Sequence, residues 1–347
     1  MTISFNIKKW LQKPSVKIIL GLVLVAAFLW FVPSNHLLTV PGNAVDVEPM
    51  IAGEVTEGTG EVMLTTVITQ EANLALWLYG MINPRARLRP REVFLRPGET
   101  FEDYLDRSQE TMRQSQETAK YVALQHSGYE VDLRGEGVEV VSIREDSPAV
   151  DLLEAGDVII AAGGESINIT EELQDIVGQY KPDDELEISV VRDDERLQKT
   201  VSLMEDPGEE GRALIGVGIL TRNLSFDFPI ELDIDAGAIG GPSAGLAFVL
   251  EIVDRLNPQL EMGRARVAAT GTVNVRGEVG PVGGVTMKTW AAEEAGAEAF
   301  IVPWDNREEA RAAYADLEIV PVRTVQEAIE YLLFEASALQ PLIKLAA

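Results

Sequence analysis

The chain has 347 residues, enough for two or three domains, and 46% of its residues are hydrophobic. Its net charge of −27, from 56 acidic and 29 basic residues, argues against nucleic-acid binding, which needs clustered lysine and arginine. With no cysteine, disulfides, thiol catalysis and cysteine metal sites are excluded, and two histidines do not favour a multi-histidine site. We therefore expect no metal site and no cofactor.

The amino-terminal segment has the composition of a membrane span. Residues 18–32 are apolar and uncharged, and residues 16–37 together reach the length of about 20 residues that a bilayer requires. Four lysines precede this run and no lysine or arginine follows it until Arg85, so the positive-inside rule places the amino terminus in the cytoplasm. A cleaved signal peptide is the alternative, but no small-residue cleavage site follows. The prediction is a single-pass anchor in the cell membrane at residues 1–37, with everything after it extracytoplasmic.

Residues 38–118 are predicted as an extracytoplasmic region of short strands followed by two helices. Thr100 and Asp103 have the spacing of a capping pair, which favours a long helix that ends near Gly128. The predicted elements are a strand at 62–67, a helix at 72–82, a loop or edge segment at 84–97 and the long helix from 100.

From residue 137 the pattern changes to short strands separated by glycine turns, with a helix from Thr170, predicted as its cap, to about residue 179. The pieces GVEV, SPA and LEAGDVII, with a closing Val-Val-Arg strand, together resemble a bacterial PDZ domain at about residues 119–206. PDZ domains add a peptide strand to a sheet edge, so the resemblance implies a peptide ligand. A purely structural β-domain is the alternative. The charged turn residues 206–211 are predicted as the linker to a last domain, residues 207–347.

Residues 240–245 read GGPSAG and precede an apolar helical segment at 246–256. Ser243 would lie at the start of this helix, where small neighbours leave its hydroxyl accessible and free amides can hold an oxyanion. The residues Gly241, Pro242 and Ala244 form the loop around it. By itself the segment fits a serine helix cap at least as well as a nucleophile.

Histidine-based catalysis does not fit this serine. The nucleophile elbow of α/β-hydrolases needs a histidine after the serine, and none follows His126. A trypsin-like triad would leave His36 or His126 as the base, but His36 abuts the membrane segment and His126 ends a helix. Both templates are therefore set aside.

Lysine is the remaining base, because an unactivated serine hydroxyl is a weak nucleophile. Two lysines follow Ser243, and Lys344 is close to the last residue given. Lys288 follows the apolar, glycine-rich run VGPVGGV and begins a helix. The positive helix end and apolar neighbours would lower its pKa from about 10.4 to roughly 7–8. We predict that Lys288 is the general base for Ser243.

Residues 235–297 resemble the Lon proteolytic domain. The GPSAG segment matches its serine motif, and 270–272, 276–277 and 280–285 with Lys288 match its second motif in order and spacing. The order of anchor, PDZ and Lon-type domain is similar to that of the membrane-anchored Lon-like serine proteases of the YlbL/SepM type. This resemblance implies a Ser243–Lys288 dyad, a lysine-orienting role for Thr270 and activity without ATP. It is also compatible with a homo-oligomer formed through the Lon-type domain. The sequence also has no glycine-rich phosphate loop of the G-x-x-x-x-G-K-[ST] type.

The expected fold is α+β and multidomain: a transmembrane helix, a PDZ-like β-domain and a Lon-type α+β proteolytic domain. The expected function is ATP-independent cleavage of extracytoplasmic proteins or peptides by a membrane-anchored serine endopeptidase. The rivals are a tethered PDZ adaptor with a degenerate Lon-like fold, and an esterase or amidase using the same dyad. Many Lon enzymes carry an aspartate where this chain has Gly240, and Asp233 and Asp235 lie further upstream, so an acidic third member stays open.

Overall fold

The computed structural model describes residues 14–258, 266–313 and 315–334. The chain forms two compact units: Met1–Gly128 together with Ile230–Ala347 is unit 1, and Tyr129–Pro229 is unit 2. These units divide the chain differently from the predicted domains at 38–118, 119–206 and 207–347, since the segment before unit 2 pairs in one sheet with strands that follow it. The predicted bounds remain a prediction.

A mixed six-stranded sheet organises unit 1, with strand order β20-β19-β16-β3-β1-β4. Its strands are β1 (Pro33–Asp46), β3 (Glu61–Asn73), β4 (Arg87–Pro90), β16 (Arg266–Ala269), β19 (Ala299–Pro303) and β20 (Glu318–Val322). Strand β1 is antiparallel to β3 and β4, whereas β16 is parallel to β3 and β19. Within the described ranges, β16 pairs with β3 as far as Leu64, and no strand pairs with that edge of β3 from Thr65 onward.

Helices and short strand pairs complete unit 1. The helices are α1 (Pro14–Phe31), α2 (Leu74–Ile82), α3 (Phe101–His126), α5 (Gly245–Leu256), α6 (Val285–Glu294), α7 (Arg307–Arg311) and the helical residues 325–334, here α8. The short pairs are β2 (Ile51–Gly53) with β15 (Leu232–Ile234) and β17 (Thr272–Val273) with β18 (Val279–Gly280). The predicted capping pair is confirmed, because the Thr100 and Asp103 side chains each accept the other's backbone amide.

Helix α1 has the length and composition to cross a membrane, and nearly all of its surface is exposed. Helix α5 is the opposite case, because ten of its residues, from Gly245 to Asp254, are buried. It packs against α3, and α6 packs against β1 and β3. Large apolar side chains such as Phe248, Phe300 and Met63 fill the interior beside these helices. The loop before α5 is therefore carried on one of the most enclosed elements of the unit.

Unit 2 is built on a second sheet, with strand order β10-β9-β7-β6-β13 and β8 attached to β7. Its elements are β5 (Asp132–Arg134), β6 (Val138–Ile143), β7 (Val158–Ala162), β8 (Glu165–Ser166), α4 (Thr170–Val177), β9 (Glu185–Arg192), β10 (Glu195–Ser202), β11 (Met204–Asp206), β12 (Glu209–Leu214), β13 (Val217–Thr221) and β14 (Ser225–Asp227). Apolar residues of these strands and of α4 form one buried cluster that includes Val140, Ile159, Leu173 and Ile188.

Two local predictions in unit 2 are wrong. The cap of α4 is at Ile169, whose backbone is extended, and Thr170 is the first helical residue. The Glu172 carboxylate accepts the amides of Asn168 and Ile169, which fixes the chain just before the helix, and the first helical amide, that of Thr170, donates to the Thr221 hydroxyl. The segment 206–211 is part of a hairpin between β11 and β12, because the Asp206 side chain accepts the Gly208 amide and closes a turn there.

A buried pair of carboxyl groups lies on α5 in unit 1. Asp254 accepts hydrogen bonds from the amides of Thr59 and Gly60 and from the Thr59 hydroxyl, which holds this loop against the helix. Glu251 is fully buried, and neither of its carboxyl oxygens has a hydrogen-bond partner among the described residues. Burial, and then the nearby charge of Asp254, raise the pKa of Glu251 to about 8.

We expect Glu251→Gln to make the stability of the protein less dependent on pH. A raised pKa means that the folded chain keeps a proton that the unfolded chain releases above its ordinary value of 4.5. This contribution is fully present below pH 4.5 and is lost as the pH rises through about 8, at about 1.4 kcal/mol for each unit of pKa shift. Melting followed by circular dichroism at pH 5.5 and 9 should show a smaller difference in the variant.

The matched control is Asp254→Asn, which weakens an acceptor of three hydrogen bonds and should destabilise the protein at both pH values. A pH dependence in Glu251→Gln equal to that of the wild type would contradict the assignment of this titration to Glu251.

Candidate active site

The loop before α5 presents Ser243 in a single turn of 3₁₀-helix, Pro242–Ala244. Gly241 precedes this turn with a φ of 86°, a conformation that glycine adopts without strain. Pro242 then supplies the fixed φ that suits the first helical position. Ala244 is buried whereas Ser243 remains partly exposed, so the serine hydroxyl is held at the surface of an otherwise packed element.

Lys288 lies in the first turn of α6 and reaches this serine. Its Nζ donates a hydrogen bond to Ser243 Oγ at 2.6 Å and another to Thr270 Oγ1 at 2.9 Å. The lysine is 2% exposed. Burial lowers the pKa of Lys288 to about 7, because the charged ammonium is poorly solvated there. The two residues singled out in the sequence, 45 positions apart, are thus in direct contact.

Thr270 connects the lysine to the loop of the serine. It follows β16, its amide donates to the Ile301 carbonyl, and it is fully buried. Its hydroxyl accepts from Lys288 and donates to the Ser243 carbonyl at 3.0 Å, a carbonyl that also accepts the Gly271 amide at 2.9 Å. Thr270 therefore fixes both the amine of Lys288 and the backbone of the turn that carries Ser243.

Helix α3 also holds the serine loop, which the sequence analysis did not anticipate. The Ser108 carbonyl accepts the Gly241 amide at 2.7 Å, and the Ser115 hydroxyl donates to the Pro242 carbonyl at 3.1 Å. A Cβ at Gly240 would lie 2.6 Å from the Ser108 hydroxyl, so the close approach of the loop to α3 favours glycine there. Ser108 and Ser115 lie seven residues apart, and this spacing, which places both on one side of a helix, was the signal that could have been used.

The amides of the loop differ in their availability. Gly241 has its amide committed to α3, and Pro242 has none. The Ser243 amide lies in the first turn, where a helix provides no internal acceptor, whereas the 3₁₀ turn uses the Ala244 amide internally, with the Gly241 carbonyl as acceptor. Of the loop residues named from the sequence, Gly241, Pro242 and Ala244 shape the turn, and the amide of Ser243 itself is the available donor.

No carboxylate accompanies the pair among the described residues, since the partners of Lys288 Nζ are the two hydroxyls. Asp233 and Asp235 are exposed and line a separate cavity of about 430 Å³ beside α3. No group of three or more metal-ligating side chains is present in the described part of the chain.

A groove of about 820 Å³ runs past Ser243 and Lys288. One wall is the unpaired part of β3, Thr65 to Thr69, and the opposite walls are the serine loop and the start of α6. Residues Phe94, Tyr104, Leu105 and Met287 give it an apolar surface. An extended chain laid along β3 would pass the serine hydroxyl.

Two family models match the chain. Residues 221–335 match the Lon protease (S16) C-terminal proteolytic domain, and residues 116–203 match the PDZ domain. The chain thus contains a Lon-type proteolytic domain. A PDZ domain precedes it, as the resemblance of both segments implied, in a mixed α/β fold with one amino-terminal apolar helix among the described residues.

Curated relatives match in the Lon-type segment. Lon protease 2 of Bacillus subtilis is 33% identical over 108 residues, 31% of this chain and 19% of that protein. The Lon protease of Escherichia coli strain K12 is 36% identical over 108 residues, which cover 29% of this chain and 13% of that protein. The archaeal Lon protease of Pyrococcus abyssi is 37% identical over 122 residues, which cover 34% of this chain and 12% of that protein. The match therefore spans less than a fifth of the length of these relatives.

The PDZ segment also resembles a solved structure. The PDZ domain of an SdrC-like protein from Listeria monocytogenes is 30% identical, with 24% of this chain and 87% of that chain covered and a TM-score of 0.23.

Proposed function

We propose that the protein is a membrane-anchored serine endopeptidase that works without ATP, with Ser243 as nucleophile and Lys288 as general base. The observation that carries the proposal is the 2.6 Å contact between Lys288 Nζ and Ser243 Oγ, with the pKa of the buried amine lowered to about 7. An amine with such a pKa is neutral in a large fraction of molecules at neutral pH, so it can accept the hydroxyl proton.

The reaction is acyl transfer in two steps. Neutral Lys288 takes the proton of Ser243 as the serine oxygen attacks the peptide carbonyl, and the amide of Ser243 donates a hydrogen bond to the negatively charged carbonyl oxygen. The lysine then returns the proton to the leaving amine, and an acyl-enzyme remains. Water, deprotonated by the same amine, hydrolyses the ester and restores the serine.

The groove favours a polypeptide substrate over a small ester or amide. Strand β3 has an unpaired edge at Thr65 to Thr69, which can pair with an extended chain by main-chain hydrogen bonds. The PDZ domain supports the same substrate class, since such domains bind peptide strands. We propose that it helps to select protein substrates, and that α1 anchors the protein in the cell membrane with the remaining domains outside the cytoplasm. A homo-oligomer formed through the Lon-type domain is part of the same proposal.

The test is cleavage of an unfolded protein by the full chain in detergent, with ATP and after its enzymatic removal. We expect equal rates, because the sequence has no glycine-rich phosphate loop. Ser243→Ala serves as the control for contaminating proteases. A several-fold dependence on ATP would contradict ATP independence, and undiminished cleavage by the control would contradict the assignment of the nucleophile.

Thr270→Val should lower kcat by roughly 10- to 100-fold with little change in KM, because it removes the hydroxyl that orients Lys288 and keeps the side-chain shape. Thr270→Ser, which keeps the hydroxyl, should retain most of the activity. Rates measured from pH 5 to 9 should also place the inflection of the valine variant at a lower pH, since the charged amine of Lys288 loses a hydrogen-bond acceptor. Equal activity of the valine and serine variants would contradict a positioning role.

A further inference from the structure

Helix α2 has an apolar face that no described part of the chain covers. Its residues Leu78, Met81 and Ile82 are 41%, 65% and 81% exposed, and their spacing places them on one side of the helix. The opposite side packs onto the sheet through Gly80, where a Cβ would lie 2.6 Å from Leu88 and 2.9 Å from Leu38. The glycine permits this close approach, so the outward face is fixed in place by the packing of the inward one.

This face continues directly from the proposed membrane span. The Leu74 amide, the first of α2, donates to the carbonyl of Val32, which follows the last residue of α1. The Ser34 hydroxyl donates to the Ala72 carbonyl at 2.7 Å and fixes the same junction. Helices α1 and α2 are also in contact. The apolar face of α2 therefore begins at the level where α1 leaves the bilayer.

Aromatic residues border the face as they do at a lipid–water interface. Trp77 and Tyr79 belong to α2, and amphipathic aromatic side chains favour the headgroup region. Helix α2 contains no charged residue. The neighbouring strand β4 turns Leu88 towards α2, so Arg87 and Arg89 lie on the opposite face of the sheet, where they line the groove of Ser243.

We propose that the outward face of α2 is a second membrane-contact surface that lies in the leaflet at which α1 leaves the bilayer. This proposal depends on the proposed function in one respect, namely that α1 spans the membrane. The surface holds unit 1 against the bilayer by more than the single covalent connection to α1. The apolar side chains enter the boundary between headgroups and acyl chains, and the flanking aromatic side chains lie at the headgroups.

The test uses the absence of native cysteine, which lets a single introduced cysteine carry a nitroxide label. Full-length Ile82→Cys, Leu24→Cys and Glu57→Cys proteins are reconstituted in vesicles of phosphatidylcholine with phosphatidylglycerol. Leu24 lies inside α1 and reports the span itself. Glu57 is exposed near the opposite end of β3, whose 13 residues separate its two ends by roughly 40 Å. Electron paramagnetic resonance then compares collisions with oxygen, which concentrates in lipid, and with a water-soluble nickel complex.

We expect oxygen collisions to predominate at positions 24 and 82 and nickel collisions to predominate at 57. A label at 82 that behaves like the one at 57, with 24 in lipid, would overturn the contact surface and leave the anchor intact. Water access at both 24 and 82 would overturn the anchor and the surface together. Protection of 82 from both reagents would show a protein partner or a second copy instead of lipid.

Discussion

Ser243→Ala should reduce peptide cleavage by at least about 10⁴-fold while leaving the fold intact. The substitution removes the nucleophilic oxygen and its hydrogen bond with Lys288, and the remaining contacts of the loop are made by backbone atoms. Rates are measured with a fluorogenic peptide, and circular dichroism checks that the variant is folded. Substantial cleavage by a folded Ser243→Ala protein would remove Ser243 from the mechanism.

Replacement of the lysine should cost about as much, because a nucleophile and its base act as a unit. Lys288→Met is the matched variant, since methionine keeps much of the length of the side chain and has no amine. The lowered pKa destabilises the fold fully below pH 7, and this cost disappears as the pH rises towards the ordinary value of 10.5. Lys288→Met should therefore be inactive and, at pH 7 or below, at least as stable as the wild type.

Lys288→Arg separates a base from a positive charge. A guanidinium remains protonated at all pH values of interest, so it cannot accept the serine proton. We expect no cleavage, and the double variant Ser243→Ala with Lys288→Met should be little worse than either single one. Activity in a folded Lys288→Arg enzyme would rule out the dyad and would direct the search for a base to Asp233 and Asp235.

The second large effect is on the pH dependence of kcat/KM. Because Lys288 must be neutral to act, the rate should rise with pH, with an inflection near the lowered pKa of about 7. Below that value the neutral fraction falls about tenfold for each pH unit, so the rate at pH 5 should be about 100-fold below the plateau. The measurement is the initial rate at low substrate concentration between pH 5 and 9.

Glu251→Gln is the control for this profile, because the pKa of Glu251 is raised to about 8 and its ionisation could alter the fold in the same range. The profile of this variant should keep the inflection near 7. A rate that stays nearly constant between pH 5 and 9, as expected for a base with the ordinary carboxyl pKa near 4, would assign the base to an acid and contradict the role of Lys288.

Local sequence patterns were sufficient for much of the fold. The capping pair at Thr100, the apolar periodicity of α5 and the uninterrupted apolar run of α1 each depend on neighbours a few residues apart, which is why they could be predicted. The pairing of Ser243 with Lys288 followed from counting the bases available downstream and from the motif spacing. The misplaced cap at Thr170 shows the limit of such patterns, because the helix begins at Thr170 itself, whose amide is held by the hydroxyl of Thr221, 51 residues later in the chain.

The tertiary structure decided what depends on residues far apart in the chain. The segment before the PDZ domain completes the site. Its strand β3 pairs with β16, about 200 residues later in the chain. Its helix α3 accepts one hydrogen bond from the serine loop and donates another to it. Such contacts are set by packing of whole elements, and no local propensity encodes them. The same holds for the buried carboxyl of Glu251 and the exposed face of α2, since burial and exposure belong to the assembled unit. The sequence by itself determined which serine and lysine are available, and the folded unit determined their 2.6 Å separation and the lowered pKa on which the proposed role of the lysine as a base depends.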